Sequence, residues 1–144
     1  MRSIAGLAER HWTMWRAPGA FTKNPDVVRL LSGKLLCVYN QTNEHWPTTS
    51  QITLLESDDH GRTWGAPRAI DAGDKRRGEE VWITPRISLL RDGRLVICCD
   101  QDDYAHCHED SPPGIYLWWS EDGGRTWTER QPTGIAGIEP DRVV

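Results

Sequence analysis

An all-β fold made of repeated four-stranded antiparallel sheets is predicted by three observations. The first is an internal repeat: Ser57-Asp58-Asp59-His60-Gly61-Arg62-Thr63-Trp64 returns as Ser120-Glu121-Asp122-Gly123-Gly124-Arg125-Thr126-Trp127. The second is a longer match, in which Pro25 to Tyr39 aligns without a gap to Pro85 to Cys99 at an offset of 60. Third, the apolar runs are short and β-prone, bounded by Gly, Asp and Ser, and none has helical periodicity. Repeats of this size read as stacked supersecondary units, and four antiparallel strands per unit point to propeller blades.

Residues 1–23 read as a lead-in, with a short possible strand at His11 to Trp15 before the turn-forming Pro18-Gly19. Residues 24–144 read as a partial propeller. Its first blade, 24–70, starts with a strand from Pro25 to Leu31, turns at Ser32-Gly33-Lys34 and continues from Leu35 to Tyr39. A polar loop from Asn40 to Ser50 leads to a third strand, Gln51 to Glu56, and a fourth is expected from about Thr63 to Ile70. The second blade, 84–130, repeats the pattern with a turn at Asp92-Gly93 and a long loop from Asp100 to Pro113. Residues 139–144 restart the motif at Pro140, so the chain is expected to hold two blades plus the first strand of a third. Two open blades leave unpaired edges and uncovered faces, which predicts that the chain is part of a longer protein.

The repeated octapeptide explains itself as a fold element. Asp59 and Asp122 can accept backbone N–H bonds within the turn, Gly61 and Gly124 can take a positive φ, and Trp64 and Trp127 can pack beneath the loop. Ser57, Thr63, Ser120 and Thr126 complete the motif. Its carboxylates are therefore expected to stabilise turns rather than to bind ligand.

In an up-and-down blade the Gly33 and Gly93 turns share one end with the octapeptides. The loops after the second and fourth strands share the other. Loop lengths differ between the two repeats only there, which marks that rim as the binding surface. It carries Glu44, His45 and Trp46, then Arg76, Arg77, Glu79, Glu80 and Trp82, then Asp100, Asp102, Asp103, Tyr104, His106, His108 and Glu109. Arg86, Asp141 and Arg142 open first strands, which line the axis. Tryptophan and tyrosine rings can stack on the apolar face of a sugar while charged groups bond its hydroxyls or an acidic substituent. Exposed polar loops carry such residues in any case. Asp103 is the candidate proton-transfer carboxylate, because a neighbouring ring such as Tyr104 can raise its pKa.

The net charge of -4, with basic residues scattered among acids, gives no reason to expect nucleic acid. No run approaches the ~18 apolar residues of a membrane span, and Met1 to Arg16 lacks the apolar core of a secretory signal. A cytoplasmic location is expected if this start is authentic. His106-Cys107-His108 near Cys98 and Cys99 lacks any Cys-x2-Cys pair, and Asp100-x-Asp102-Asp103 lacks the glycine and terminal glutamate of a calcium loop. No metal and no cofactor are expected.

The Ser-x-Asp-x-Gly-x-Thr-Trp octapeptide resembles the Asp box, or BNR repeat, of sialidase-like proteins, and both copies match at every defining position. The resemblance covers Pro25 to Trp127 and the restart at Pro140. It implies a six-bladed propeller, and an activity on glycans as a glycoside hydrolase whose sugar is unknown. Sialidases hold their substrate carboxylate with three arginines, use a Tyr assisted by Glu as nucleophile, and use an Asp as acid/base. The first arginine belongs to an Arg-Ile-Pro motif, but the corresponding positions here are Lys23, Ile83 and Ile138. Lys23 is cationic without the planar fork of a guanidinium, so the substrate need not be sialic acid. A non-catalytic carbohydrate- or protein-binding propeller, or a truncated product inactive alone, is the alternative.

Overall fold

The computed structural model describes residues 13–101 and 114–137. Eight strands form two sheets, each in simple sequential order and antiparallel throughout. The first contains β1 (Phe21–Arg29), β2 (Leu35–Thr42), β3 (Thr49–Ser57) and β4 (Arg68–Asp74). The second contains β5 (Arg86–Leu89), β6 (Leu95–Asp100), β7 (Gly114–Ser120) and β8 (Gln131–Ala136). Among the described residues the one helical segment is a 3-10 turn, Lys75–Arg77, and no helix is long and apolar enough to cross a membrane.

The repeat in sequence is a repeat in hydrogen bonds. Gly33 N–H donates to Leu30 O at 2.9 Å, and Leu30 N–H to Lys34 O at 2.9 Å; 60 residues later Gly93 donates to Leu90 at 3.0 Å and Leu90 to Arg94 at 2.8 Å. The second strand of each sheet is flanked on both sides and buried on both faces. That is why Leu35 to Tyr39 and Leu95 to Cys99 read as continuous apolar runs rather than alternating ones.

The sheets stack through one core. Leu36, Val38, Ile52 and Leu54 of the first sheet meet Ile87, Leu95, Ile97, Cys99 and Trp118 of the second. Burying a side chain of this size contributes about 1.5–3 kcal/mol, so this layer carries much of the stability of the pair. The opposite face of the first sheet carries Cys37, Tyr39 and Leu55, packed against Met14 and Trp64. β1 and β5 are the strands through which the sheets approach most closely, as first strands must if they surround a common axis.

Three strands depart from expectation. β4 begins at Arg68 rather than Thr63, because the chain leaves the turn through Gly65-Ala66-Pro67 and Pro67 has no N–H to donate. One ladder bond survives there, Gly65 N–H to Glu56 O at 2.9 Å. β8 lies at Gln131–Ala136, past the blade end expected at 130, and Pro132 is tolerated because β8 is an edge strand. Strand β1 starts at Phe21, inside the expected lead-in, and is bulged between Lys23 and Asp26 with Asn24 at φ 54.

Candidate functional site

Each octapeptide closes the β3–β4 or β7–β8 connection with the same bonds. Ser57 Oγ accepts from Gly61 N–H at 2.9 Å and donates to Asp59 Oδ1 at 2.9 Å. Asp59 then accepts from Thr63 N–H at 2.8 Å and from its hydroxyl at 2.6 Å, while Trp64 Nε1 donates to Gly61 O at 3.1 Å. In the second copy Ser120, Asp122, Gly124, Thr126 and Trp127 repeat those contacts with separations of 2.9, 2.9, 2.9, 2.6 and 3.1 Å. These bonds hold the Asp59 carboxyl down to about 2, chiefly through the Thr63 hydroxyl and then its N–H, and hold Asp122 lower still by the same means. Both carboxylates are engaged by their own turns. Arg68 adds a tie between the sheets: it pairs with Glu56 at 3.1 Å and donates to the carbonyls of Gly124 and Arg125.

The rim at the other end is built by three segments. The β2–β3 loop is held by Asn43, whose Oδ1 accepts from Thr48 and Thr49 N–H at 3.1 and 3.0 Å and whose Nδ2 donates to Thr48 Oγ1 at 2.9 Å and Glu44 Oε1 at 3.1 Å. Thr42 Oγ1 donates to Glu44 O at 2.8 Å, and Lys23 Nζ, at the bulged start of β1, donates to His45 O at 3.1 Å. Lys23, on β1, is thus bonded to the loop that carries Glu44 and Trp46. Phe21, His45 and Trp46 continue from it as a row of rings, edge to face at 5.8 and 5.0 Å. The sequence reading missed Phe21, whose only signal is a phenylalanine standing just before the first repeat.

The second segment joins the sheets. Asp74 caps the 3-10 turn by accepting from Arg76 N–H at 2.9 Å, and the Arg76 guanidinium grips the same carboxylate at 2.9 and 2.7 Å. Those guanidinium bonds, led by the side-chain contact, lower the Asp74 pKa. Arg77 and Glu79 line a polar cleft of about 390 Å³ with Gln41, Asn43, Gln51 and Asp74. Beyond it the chain folds back so closely over Gly73 that a Cβ there would lie 1.6 Å from Glu80 O.

That close crossing corrects one expectation. Trp82 was expected on the rim but has 0% exposure and sits in the core between the sheets. Its N–H donates to Ser50 Oγ at 2.7 Å, Asn40 Nδ2 donates to its carbonyl, and its ring stands edge-on to Tyr116 and Trp118 at 5.2 and 5.1 Å. With its backbone bonded into the first sheet, the indole fills the inter-sheet space and is a packing element rather than a sugar platform.

The third segment opens β5. Arg86 is half-buried, with Nη1 donating to Pro85 O at 3.1 Å. Asp100, expected on the rim, is instead fully buried, its Oδ1 accepting from Thr84 N–H at 2.9 Å, and Asp102, Asp103, Tyr104, His106, His108, Glu109, Asp141 and Arg142 lie outside the described residues. A further polar network missed by the sequence reading bridges the sheets on their outer side. Tyr116 OH donates to Glu80 Oε1 at 3.1 Å, Trp118 Nε1 donates to Asp71 Oδ2 at 3.1 Å, and Arg130 lies 3.3 Å from Glu80. Burial, and then the Glu80 charge, raises the Tyr116 pKa, so this phenol stays protonated and is unlike an activated nucleophile.

A family model described as a BNR repeat-like domain matches residues 6–144. Among solved structures, a protein of unknown function from Dyadobacter fermentans DSM 18053 is similar at 23% identity and TM-score 0.59, over 82% of this chain and 29% of that one. The Hadza microbial sialidase is similar at 26% identity and TM-score 0.52, over 76% of this chain and 24% of that one. An alpha-L-arabinanase of Penicillium chrysogenum, solved with arabinobiose, is similar at 22% identity and TM-score 0.49, over 79% and 32%. This chain thus spans about a quarter to a third of the length of these structures. Among curated proteins none matches it.

Proposed function

Because the chain belongs to the BNR repeat-like domain family, we propose that it supplies two blades and part of the sugar-facing rim of a glycan-active propeller, a glycoside hydrolase when the propeller is complete. The observation that carries this reading is the β2–β3 loop. It holds a lysine, a carboxylate and an exposed tryptophan together on the end opposite both Asp boxes, where their chemistry suits a sugar. The likeness to a sialidase supports it.

In this reading Trp46 stacks on a sugar ring, Glu44 accepts from hydroxyls, and Lys23 and Arg86 attract an acidic substituent. Asp103 is the proton-transfer carboxylate, with Asp102, Tyr104, Asp141 and Arg142 lining the same rim. The test is hydrolysis of a panel of fluorogenic glycosides by the full-length protein. Release from at least one member, abolished by Asp103→Asn, is the expected result; no turnover of any member overturns the hydrolase.

One observation favours a second reading, a non-catalytic glycan-binding propeller. Where the family places its first arginine this chain has Lys23, whose ammonium bonds the His45 carbonyl and cannot fork across a carboxylate. Saturable sugar binding without turnover would distinguish that case.

A further inference from the structure

We infer that Phe21, His45 and Trp46 form a stacking subsite for an uncharged sugar ring at the lip of the rim, so that the ligand is an oligosaccharide rather than a single sugar. The inference rests on the glycan reading above and names the ligand class of that site more closely.

Three features carry it. Phe21 is 42% exposed and Trp46 64%, at a place where water-facing apolar rings cost solvation and add nothing to the core. Second, the rings are fixed. His45 stands at 82° to Phe21 and 81° to Trp46, Phe21 is paired in the ladder with Thr42, and the loop between is pinned by Asn43, Thr42 and Lys23. A platform already held in place loses little freedom on binding, so stacking energy appears as affinity.

The third feature is chemical. The Lys23 ammonium is directed at the His45 carbonyl, while Asn43 and Glu44 present amide and carboxylate groups beside the rings. Rings flanked by hydroxyl-bonding groups match the apolar C–H face and hydroxyl edge of a neutral sugar. A protein partner would require a wider apolar area than two rings bracketed by polar side chains.

The test is calorimetric titration of the full-length protein with gluco-, manno-, xylo- and arabino-oligosaccharides, each as monosaccharide and as tetrasaccharide. Expected is binding of at least one tetrasaccharide that Trp46→Ala weakens roughly tenfold and Trp46→Tyr largely restores, with the matching monosaccharide losing less. An unchanged tetrasaccharide affinity in Trp46→Ala overturns the subsite, as does an equal loss for the monosaccharide. Absence of tetrasaccharide binding overturns it even if glycosides are hydrolysed. Trp46-dependent binding without hydrolysis of any glycoside supports the subsite while sinking the hydrolase.

Discussion

The backbone N–H of Ile87 donates to Asp26 Oδ2 at 3.0 Å, joining residues 61 apart in sequence and the first strands of the two sheets. Asp26 Oδ1 accepts from Val27 N–H at 3.0 Å, and the residue is only 8% exposed. Beside it Asn24 and Asn40 each donate an amide proton to Ile83 O, at 3.0 and 2.8 Å. The axial side of the inter-sheet seam is thus held by side chains of the first sheet that satisfy backbone groups of the second.

Asp26→Ala leaves the Ile87 N–H buried without its acceptor, a loss of about 1–3 kcal/mol. Denaturant unfolding of the full-length protein should show that loss, with a smaller one for Asp26→Asn, which keeps an acceptor oxygen. Equal stability of Asp26→Ala and the parent protein would show that the bond does not hold the sheets.

The Asp boxes predict an acid limit. Asp59 is held at about 2 against its ordinary 3.8, and Asp122 is lowered further, so the folded state binds these protons less readily than the unfolded one. Their stabilisation is present above about pH 4 and is lost as pH falls toward 2. Asp122→Ala should lower the melting temperature at neutral pH and flatten this acid dependence, with sugar affinity unchanged. A large loss of affinity at preserved melting temperature would assign the box to binding instead.

Burial, with nearby carboxylates adding to it, pushes the thiols of Cys37 and Cys98 up to about 11 and raises that of Cys99 well above its ordinary value. A thiol in this state is not the nucleophile. These three cysteines should resist iodoacetamide at mildly alkaline pH until denaturant is added, as read by mass spectrometry of the peptides. Prompt labelling of the folded protein would contradict the packing described for β2 and β6.

Gly73→Ala forces a methyl into the Glu80 carbonyl and should cost roughly 2 kcal/mol or more, because two backbone segments must move apart. Gly78→Ala is the control: its space is open, its φ is 73°, and it should cost about 1 kcal/mol. Similar small losses for both would mean that the inter-sheet crossing is not rigid.

Much of this arrangement is written locally. The Asp-box bonds link residues two to four apart, from Ser57 to Asp59, Asp59 to Thr63 and Gly61 to Trp64, so residue types at fixed spacing predict them. The Gly33 and Gly93 turns are equally local, and with the offset of 60 they place both hairpin ends together. Once those ends coincide, the opposite end must hold the variable loops, and Lys23, Glu44 and Trp46 come to one rim.

Tertiary structure decided what the connecting segments do. Residues 75–85 are charged and read as an exposed loop, yet Trp82 drops from them into the core because Gly73 leaves room for the Glu80 backbone and Ser50 and Asn40 bond that of Trp82. No spacing within that segment encodes those partners, which lie on three different strands. Likewise Phe21 gains meaning only when the β1–β2 ladder sets it beside Thr42 and the loop brings His45 against it. Sequence alone determined the blades and their corners, since short-range hydrogen bonds make them; which aromatic ring packs inside and which stays exposed was decided when distant strands met and excluded water between them.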